Sequence, residues 1–416
     1  MRVSALSSAP PFPPPLPSEA SLRCQVLVVG AGPSGGDLAR RLALQGLDVV
    51  LVDRLADLSR SAFSSAALPI ASMEAFGLPA EVVGSRWRQW QLIGPGTATR
   101  SWASPQPLGV VLDFAALRRW QADQSLRWGA RVLLGLHACS SHQESERMVT
   151  LLRRSDGSTL RVTSDWTVDA SGQARALLGD PPPAERPRDG LVRAAGLEWL
   201  LRVSPACWER WADRLSFCLG SDWVPQGYGW IFPMAPGVLK LGVCRLVDPQ
   251  RQQPPLGGLI TEVGRRLLDS DWDGDAFAVL DRHGGLVRST IRRREPHQRG
   301  RLVGLGDAVS TANLLGGEGI RHALTSSAVL APLLQQGVLR DYAPQLRRAL
   351  GWRWSLSGRL ARRTWLNLHG PRADGRLDQV LRGLETCRAE DLSALLFGYR
   401  FERYGLRAMP YLLGWS

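Results

Sequence analysis

Three glycines and one acidic residue near the start of the chain have the types and the spacing to bind a phosphorylated ligand. Gly30, Gly32 and Gly35 form a GxGxxG pattern, and Asp53 follows about 20 residues later. The first glycine permits a tight turn, the second lets a pyrophosphate approach the backbone, and the third lets a helix pack closely on a strand. A carboxylate at Asp53 accepts hydrogen bonds from ribose hydroxyls. We therefore predict a dinucleotide site formed by Gly30, Gly32, Pro33, Ser34, Gly35, Asp53 and Arg54.

A second glycine cluster lies in the segment GDAVSTANLLGGEGIRHALTSS, residues 306–327. Apolar and small residues recur there at helical spacing, which predicts a helix that starts near Gly317. Gly316, Gly317 and Gly319 then lie at the N-terminus of this helix. Unpaired backbone N–H groups and the positive end of the helix dipole make such an end an anion site. The cluster therefore predicts a second position for a negatively charged group.

Local patterns predict the elements that position these residues. Residues 25–29 indicate a buried strand, 38–44 a helix, and 47–52 a second strand that leads into Asp53. Further along, residues 114–128 predict a helix, and Asp156-Gly157 predicts a hairpin turn. A buried strand then ends at Val168, and a turn follows over 169–172. The prolines of DPPPAERPR indicate a linker over 180–188, and the pattern is mostly helical from about residue 341.

Composition narrows the class of protein. The chain has 416 residues, of which 44% are hydrophobic, and no apolar run approaches the roughly 18 residues of a membrane span. The formal charge of +13 comes almost entirely from arginine, since Lys240 is the only lysine; we interpret this as a compositional bias and predict no nucleic-acid partner. The six cysteines form no CxxC pair and the six histidines show no metal-ligand spacing. We expect free thiols in a reducing compartment, a cytoplasmic location and no metal site.

The most basic stretch, RRALGWRWSLSGRLARRTWLNLHG, alternates arginines with Trp352, Trp354 and Trp365. Such a pattern is typical of an amphipathic helix at a membrane surface. It also fits a helix that packs its tryptophans on the protein body while its arginines face water. We favour the second interpretation and keep peripheral membrane contact through this region as the alternative.

Three blocks of sequence, in a fixed order, resemble a known enzyme superfamily. They are GxGxxG with its acid, VDASG at 168–172, and GLGDAVSTANLLGGEGI at 304–320. Together they are similar to the FAD-dependent oxidoreductases of the hydroxylase and geranylgeranyl reductase superfamily. The block GYGWIFP at 227–233 resembles the geranylgeranyl reductases in particular, in which this segment and a following Gly-x-Gly strand line the substrate cavity beside the flavin. The resemblance covers roughly residues 24–334.

The resemblance implies FAD as the cofactor and assigns residues to it. It implies that Asp307 reaches the ribityl and pyrophosphate part of FAD, and that the helix near Gly317 points its N-terminus at the N1 and C2 carbonyl edge of the flavin. Negative charge develops at that edge on two-electron reduction, and fixed N–H groups stabilise it. The residues so implied are Asp169, Gly172, Gly306, Asp307, Gly317, Gly319 and Ile320. Glu318 has two open roles, one structural and one catalytic, and we favour the structural one.

The same resemblance implies an apolar substrate wall made of Tyr228, Trp230 and Phe232. Alternating aromatic residues are also what a half-buried core strand shows, so both interpretations stay open. Tyr228 is a possible proton donor only with a partner, because a free tyrosine has a pKa near 10. NAD(P)H is expected to bind transiently over the flavin, since the sequence shows no second nucleotide fingerprint.

Several positions depart from the family pattern. An arginine that commonly precedes the helix beginning at Phe114 is missing, and so is a Lys-Pro-Cys-Gly block after Asp53. Leu314 replaces a proline, Met234 replaces a lysine and Cys244 replaces the second glycine of the strand. These departures leave the substrate and the reaction open while the nucleotide-contacting glycines are intact.

The predicted function is transfer of a hydride from reduced FAD to a carbon–carbon double bond of an apolar, isoprenoid-like substrate. One alternative is oxygen chemistry on the same scaffold, by a monooxygenase or halogenase. Another is a carotenoid cyclase of the lycopene type that uses FAD without net oxidation. A third, from a different class, is a flavin-binding protein without catalytic activity.

The predicted fold class is α/β, with a discontinuous Rossmann-like FAD-binding domain, an antiparallel-sheet substrate domain and a C-terminal helical region. We assign 22–75, 107–180 and 298–338 to the FAD-binding domain, and 76–106 and 181–297 to the substrate domain. Residues 1–21, rich in proline, are expected to be a disordered extension, and 339–416 form the helical region.

Overall fold

The computed structural model describes residues 19–61, 64–180, 192–289 and 296–402. Its first sheet consists of β1 (Glu19–Val29), β2 (Val49–Asp53), β8 (Arg131–Leu134), β9 (His137–Glu144), β10 (Arg147–Arg153), β11 (Thr159–Asp169), β17 (Gln298–Arg299) and β18 (Leu302–Gly304). The strand order is β17-β18-β11-β1-β2-β8, and neighbours from β18 to β8 are parallel. Strands β9 and β10 extend β11 as an antiparallel meander. One sheet therefore joins segments that lie far apart in sequence.

Three helices cover one face of this sheet: α1 (Pro33–Leu44), α3 (Phe114–Arg127) and α6 (Ile320–Gln336). Strand β2, with the sequence VVLVD, is buried along its whole length, as expected for a strand covered on both faces. Side chains of β1 alternate between the helix-covered core and a second core under the meander. Pro33 occupies the first turn of α1, where its missing N–H is not needed.

The second sheet has seven strands: β5 (Gln89–Ile93), β6 (Thr99–Ala103), β12 (Val192–Arg202), β13 (Arg214–Leu219), β14 (Gly227–Ala235), β15 (Val238–Leu246) and β16 (Ala278–Ser289). The order is β16-β12-β15-β14-β13-β5-β6, and only β13 and β5 pair in parallel. Helices α4 (Pro205–Trp211) and α5 (Leu256–Leu268) cover one face. The opposite face, which carries the aromatic residues of β14, packs against the C-terminal helices.

A small third sheet joins β3 (Ala67–Pro69), β7 (Gly109–Leu112) and β4 (Val83–Trp87), and α2 (Ala71–Ala75) follows β3. Strands β3 and β7 belong to segments assigned to the FAD-binding domain, whereas β4 belongs to a segment assigned to the substrate domain. The boundaries near residues 75 and 107 therefore fall within one continuous unit of structure.

The C-terminal region is helical in its described part, with α7 (Tyr342–Asn367), α8 (Pro371–Leu384) and α9 (Ala389–Leu396). Helix α7 is interrupted at Gly351, whose φ of 76° lies in the left-handed region. Trp354 and Trp365 are buried, while Trp352 is 63% exposed. The favoured packing interpretation is therefore correct for two tryptophans and wrong for Trp352, because the break at Gly351 turns that side chain outward. Within the described ranges, no helix is both long and apolar enough to cross a membrane.

The predicted fold class is confirmed by this architecture, and several boundaries are corrected. The first strand starts at Glu19 because it pairs with β11 along its full length, so residues 19–21 are not part of a disordered extension. Helix α6 starts at Ile320 and not near Gly317. The interpretations of residues 1–18, of the linker after Asp180 and of the chain beyond 402 lie outside the described residues.

Candidate active site

The turn between β1 and α1 is held in place by two of its three motif glycines. Gly30 has a φ of +111°, and a Cβ there would lie 2.4 Å from the Ala170 carbonyl oxygen. A Cβ on Gly35 would lie 1.9 Å from the Gly30 carbonyl oxygen. Gly32, in contrast, has no protein atom within 4 Å of a Cβ position. Gly30 and Gly35 thus permit close packing, while Gly32 leaves free space above the N-terminus of α1.

Asp53 ends β2 beside this turn and accepts two backbone hydrogen bonds. Its Oδ2 accepts from the Ala31 N–H at 2.7 Å, and its Oδ1 accepts from the Leu55 N–H at 2.9 Å. Arg118 lies on α3, and its Nη2 is 3.7 Å from Asp53 Oδ2. Its Nε donates to the Ala31 carbonyl oxygen at 3.2 Å. Burial lowers the pKa of Arg118, and the Asp53 charge opposes that shift. The sequence reasoning missed Arg118, whereas Arg54, which it included, is exposed.

The turn that follows β11 is organised by Asp169. Its Oδ1 accepts from the Ser171 N–H at 3.1 Å, and its Oδ2 accepts from the Leu177 and Leu178 N–H groups at 2.9 and 2.8 Å. Both oxygens are used and the side chain is fully buried. Asp169 therefore fixes the loop, and its contact with the cofactor stays a prediction. Gly172, with a φ of +69°, has free space at its Cβ position.

Arg175 links this turn to the one after β18. Its guanidinium is buried and donates to the carbonyl oxygens of Gly179, at 2.7 Å, and of Ala308. The sequence offered no signal for this role, because an arginine in a loop ordinarily faces water. Arg175 holds the VDASG and Gly-Asp-Ala turns against each other.

The Gly-Asp-Ala turn lies directly against the GxGxxG turn. Gly306 has a φ of +62°, and a Cβ there would lie 2.5 Å from the Ser34 hydroxyl oxygen. Asp307 follows it, and its Oδ1 accepts a hydrogen bond from the Thr311 hydroxyl at 3.2 Å. Burial raises the pKa of Asp307. The structure thus brings Ser34, Gly306 and Asp307 together, although 272 positions separate the first two. We call the space beside these turns and the N-termini of α1 and α6 the groove.

The glycines before α6 form a turn that leads into the helix. Gly317 has a φ of +65°, Gly316 has free space at its Cβ position, and Gly319 is the N-cap of α6. The Asn313 N–H donates to the Glu318 carbonyl at 2.9 Å and closes this turn. Ile320 is the first residue of α6. The first N–H groups of a helix have no partner within the helix, so this end of α6 can bind an acceptor.

The carboxylate of Glu318 is buried in a network of its own. It accepts from Arg321 Nη2 at 2.7 Å and from the Tyr399 hydroxyl at 2.8 Å. Burial alone raises the pKa of a carboxyl group, but Arg321 and His322 outweigh this and lower the pKa of Glu318. With these partners Glu318 ties α6 to the C-terminal region, which agrees with the structural role favoured from sequence.

The aromatic residues of β14 form one face of the second sheet. Tyr228, Trp230 and Phe232 are buried, with ring centroids 5.9 and 6.3 Å apart along the strand. The Tyr228 hydroxyl lies 2.6 Å from the Cβ position of Gly317. The aromatic face therefore begins at the glycine turn of the first domain. Trp365 of α7 packs on Tyr228 with a centroid distance of 5.2 Å.

Two buried charges lie on the same sheet face and were not predicted as site residues. Lys240 of β15 donates to the carbonyl oxygens of Ser64 at 2.9 Å and Leu112 at 3.2 Å. Glu198 of β12 accepts from the Trp230 indole N–H at 3.3 Å. Burial lowers the pKa of Lys240 and raises that of Glu198, while their mutual attraction opposes both shifts. The lone lysine was visible in the sequence, but its burial was not.

Comparisons with known proteins agree with this geometry. A family model described as an FAD binding domain matches residues 23–78. The digeranylgeranylglycerophospholipid reductase of Haloferax volcanii is 28% identical over 74% of this chain and 74% of its own. The menaquinone reductase of Mycobacterium tuberculosis is 29% identical over 83% of this chain and 84% of its own. A crystal structure of a geranylgeranyl bacteriochlorophyll reductase-like protein from Thermoplasma acidophilum superposes with a TM-score of 0.77 at 18% identity, over 94% of this chain and 98% of that one.

This chain is an FAD-dependent oxidoreductase that is similar to the geranylgeranyl reductases. Its groove fits FAD on its own geometry. Helices α1 and α6 pack together, and no side chain of the described residues caps either N-terminus. The Cβ positions of Gly32, Gly172 and Gly316 meet no protein atom within 4 Å, so there is space beside the backbone at these three turns. FAD supplies two-electron chemistry when bound. Across the described residues, no group of three His, Cys, Asp or Glu side chains could hold a metal ion.

Proposed function

We propose that this enzyme reduces a carbon–carbon double bond of an apolar isoprenoid substrate with electrons from FAD. The observation that carries the proposal is the contact between the Tyr228 hydroxyl and the Gly317 turn, because it puts the aromatic face of β14 beside the predicted flavin position. The two relatives support it, since one is a digeranylgeranylglycerophospholipid reductase and the other a menaquinone reductase. Tyr228, Trp230 and Phe232 are proposed to contact the substrate.

We further propose that FAD spans the groove from the GxGxxG turn to the α6 N-terminus. Gly32, Ser34 and Gly172 would approach the pyrophosphate, and Gly317 and Ile320 the isoalloxazine ring. In support, Gly306 touches Ser34, so the two glycine turns are near enough to share one dinucleotide. Segments 22–75, 107–180 and 298–338 are then the FAD-binding domain, and 76–106 and 181–297 the substrate domain. Arg118 joins the proposed FAD ligands because it is a buried cation beside Asp53.

NAD(P)H is the proposed electron donor, bound transiently over the flavin.

We also propose peripheral membrane contact through α7. The exposed Trp352 adjoins Arg353 on this helix, and three other arginines are exposed further along it: Arg359, Arg362 and Arg363. A cationic surface with an exposed tryptophan suits an anionic lipid interface. A lipid substrate would be delivered from such an interface.

An anaerobic half-reaction tests the proposed reduction. Enzyme-bound FAD is reduced with one equivalent of dithionite, which makes the result independent of the natural donor. It is then mixed with geranylgeranyl diphosphate, or with menaquinone whose ring has first been reduced to the quinol so that only the prenyl chain can accept electrons. We expect the flavin absorbance to return and the acceptor to gain two hydrogen atoms per flavin, as measured by mass spectrometry. Recovery of flavin colour only on admission of oxygen, with no change in acceptor mass, contradicts the proposal. That result favours the oxygen chemistry or the non-catalytic alternative, and conversion without change of redox state favours a cyclase.

Asp53→Ala tests the position of the adenosine half of FAD. A charge-assisted hydrogen bond is typically worth about 1.5 to 3 kcal/mol, so we expect FAD affinity to fall roughly ten- to a hundredfold. FMN has no adenosine, so its weaker binding should not change. Titration of apoprotein with each flavin, followed by fluorescence, measures both affinities.

The structure adds a control to this experiment, because Asp53 also holds the Ala31 N–H. Asp53→Asn removes the charge and keeps one of the two oxygens that accept from the Ala31 and Leu55 N–H groups, so it disturbs the turn less than Asp53→Ala does. Equal weakening of FAD and FMN in Asp53→Ala would show that Asp53 acts by shaping the turn and not by binding ribose.

A further inference from the structure

Glu198 is a buried acid with few partners on the proposed substrate face. It is 2% exposed, and it lies on β12 two strands from the aromatic residues of β14. Cross-strand partners project to the same side of a sheet, and Glu198 is opposite Gly242 of β15, which is opposite Trp230. The indole of Trp230 extends over Gly242 and reaches Glu198 Oε2. Glu198 is therefore part of the aromatic face.

The carboxyl group of Glu198 is not a partner in a structural ion pair. Among the described residues, the Trp230 N–H is its single hydrogen-bond donor, and no cation lies within 4.0 Å. Lys240 shares the sheet face, but its ammonium donates to three backbone carbonyls, of Ser64, Ser65 and Leu112. A buried carboxylate without a close cation is costly, and this cost favours the protonated form of the group. Burial accordingly raises the pKa of Glu198.

A polar pair on the neighbouring strand β16 lies beside Glu198. His283 of β16 is directly opposite Glu198 in the antiparallel pair, and directly opposite residues have Cβ atoms about 5 Å apart. The His283 Nε2 lies 3.1 Å from Asp281 Oδ2, and the Asp281 side chain is 51% exposed while that of His283 is 10% exposed. Burial lowers the pKa of His283, Asp281 opposes the shift and Lys240 adds to it. A neutral imidazole at this position can pass a proton inward.

We propose that Glu198 donates the proton in double-bond reduction and that His283 and Asp281 restore it from solvent. The inference rests on the proposed function and adds the acid that it needs. With reduced FAD bound, one alkene carbon would receive a hydride, which carries two electrons and one proton. The O–H bond of Glu198 breaks and a C–H bond forms at the other carbon, so the alkene is reduced, the flavin is oxidised and Glu198 becomes a carboxylate. A proton from water, passed through Asp281 and His283, returns Glu198 to its neutral form.

Glu198→Gln is the decisive variant, because glutamine keeps an oxygen acceptor for the Trp230 N–H and has no acidic proton. In the anaerobic half-reaction with geranylgeranyl diphosphate or menaquinol, we expect reoxidation of the flavin to slow about a hundredfold or more, as for loss of a general acid. Reoxidation by ferricyanide, which needs no such acid, should not change. Glu262→Gln, at an exposed position of α5 beyond the opposite face of the sheet, is the matched control and should behave as wild type.

The pH dependence and an infrared spectrum distinguish an acid from a merely structural group. The donating form of Glu198 is protonated, so the rate of the alkene half-reaction in wild type should fall as pH rises through the raised pKa of this carboxyl group. Other ionisable groups near this face are Lys240, Tyr228, Cys244, His283, Asp281 and Asp113, so the variant must establish the assignment. The infrared band of a protonated carboxyl group at neutral pH should be present in wild type and in Glu262→Gln, and lost in Glu198→Gln.

The outcomes separate this inference from the proposed function. If wild type is not reoxidised by either prenyl acceptor, the proposed function fails and the role of Glu198 fails with it. If wild type is reoxidised and Glu198→Gln reacts equally fast, only the role of Glu198 is overturned. Should the variant not fold, the wild-type pH profile and infrared titration decide: a rate that does not fall with pH, or no protonated carboxyl band, overturns the role.

Discussion

Gly35→Ala should give a protein that purifies without FAD and unfolds at a clearly lower temperature. The new methyl group would lie 1.9 Å from the Gly30 carbonyl oxygen and 2.9 Å from the Ala170 side chain. The closest atom is backbone, so no rotamer change relieves the contact, and α1 must move away from β1. Overpacking typically costs 1–3 kcal/mol; with backbone on one side we expect about 3 kcal/mol or more. The loss of FAD affinity should exceed a hundredfold, measured from the flavin-to-protein absorbance ratio and by titration.

Gly32→Ala is the informative companion to this variant. Its methyl group meets no protein atom within 4 Å, and the φ of −78° at Gly32 suits alanine. The melting temperature of the apoprotein should therefore stay at the wild-type value while FAD affinity falls about tenfold, because the methyl occupies the space predicted for the pyrophosphate. Gly375→Ala, in an exposed turn of α8 with no neighbouring atom, should alter neither property. Wild-type FAD affinity in Gly32→Ala would place the pyrophosphate elsewhere.

The sequence predicted those parts of the fold that local patterns determine. The run VVLVD, the GxGxxG turn and the apolar spacing of α1 are contiguous, so the strand, turn and helix were predicted in the right order. Helix α3 was placed within one residue of its observed end, because its first turn and its following Gly129 are also local signals. The β10–β11 hairpin follows from Asp156-Gly157 in the same way.

Features that depend on distant partners could not be predicted. Residues 19–23 of β1 have no strong strand pattern, and they form a strand because β11 pairs with them. The start of α6 is set by the bond from Asn313 to Glu318, which holds Gly317 and Gly319 in a turn. Spacing alone does not distinguish such a turn from the first turn of a helix.

The site residues show the same contrast between features set by local sequence and features set by distant partners. Glycines were identified correctly as points of close approach, because their requirement is local: Gly30, Gly35 and Gly306 each lie against backbone or a small side chain. The loop contacts of Asp169 were not predicted, since a carboxylate after a strand fits both a cofactor ligand and a loop anchor. Arg118 was missed because burial beside Asp53 depends on how α3 packs against the turn. Charged residues give no sequence signal for burial when arginine is abundant throughout the chain.

Gly242→Ala should leave FAD in place and abolish the alkene half-reaction. A Cβ at this position would lie 2.0 Å from a carbon of the Trp230 ring, so the indole must leave the space above Gly242 and lose its hydrogen bond to Glu198. The FAD groove lies on the other sheet and keeps all its glycines. We expect wild-type FAD content and at least a hundredfold slower reoxidation of reduced flavin by geranylgeranyl diphosphate or menaquinol, measured by stopped-flow absorbance.

A double variant separates the loss of space from the loss of the N–H group. Trp230→Phe removes the benzene half of the indole, whose carbons make two of the closest approaches to the Gly242 Cβ position. Added to Gly242→Ala, it should restore the melting temperature but not the alkene half-reaction, because phenylalanine cannot donate to Glu198. Gly258→Ala, at an exposed position of α5 with no atom within 4 Å, controls for a glycine replacement in the same domain. If the double variant regains the wild-type rate, the Trp230 N–H is not needed to hold Glu198, and the acid must be positioned by the packing of the sheet face alone.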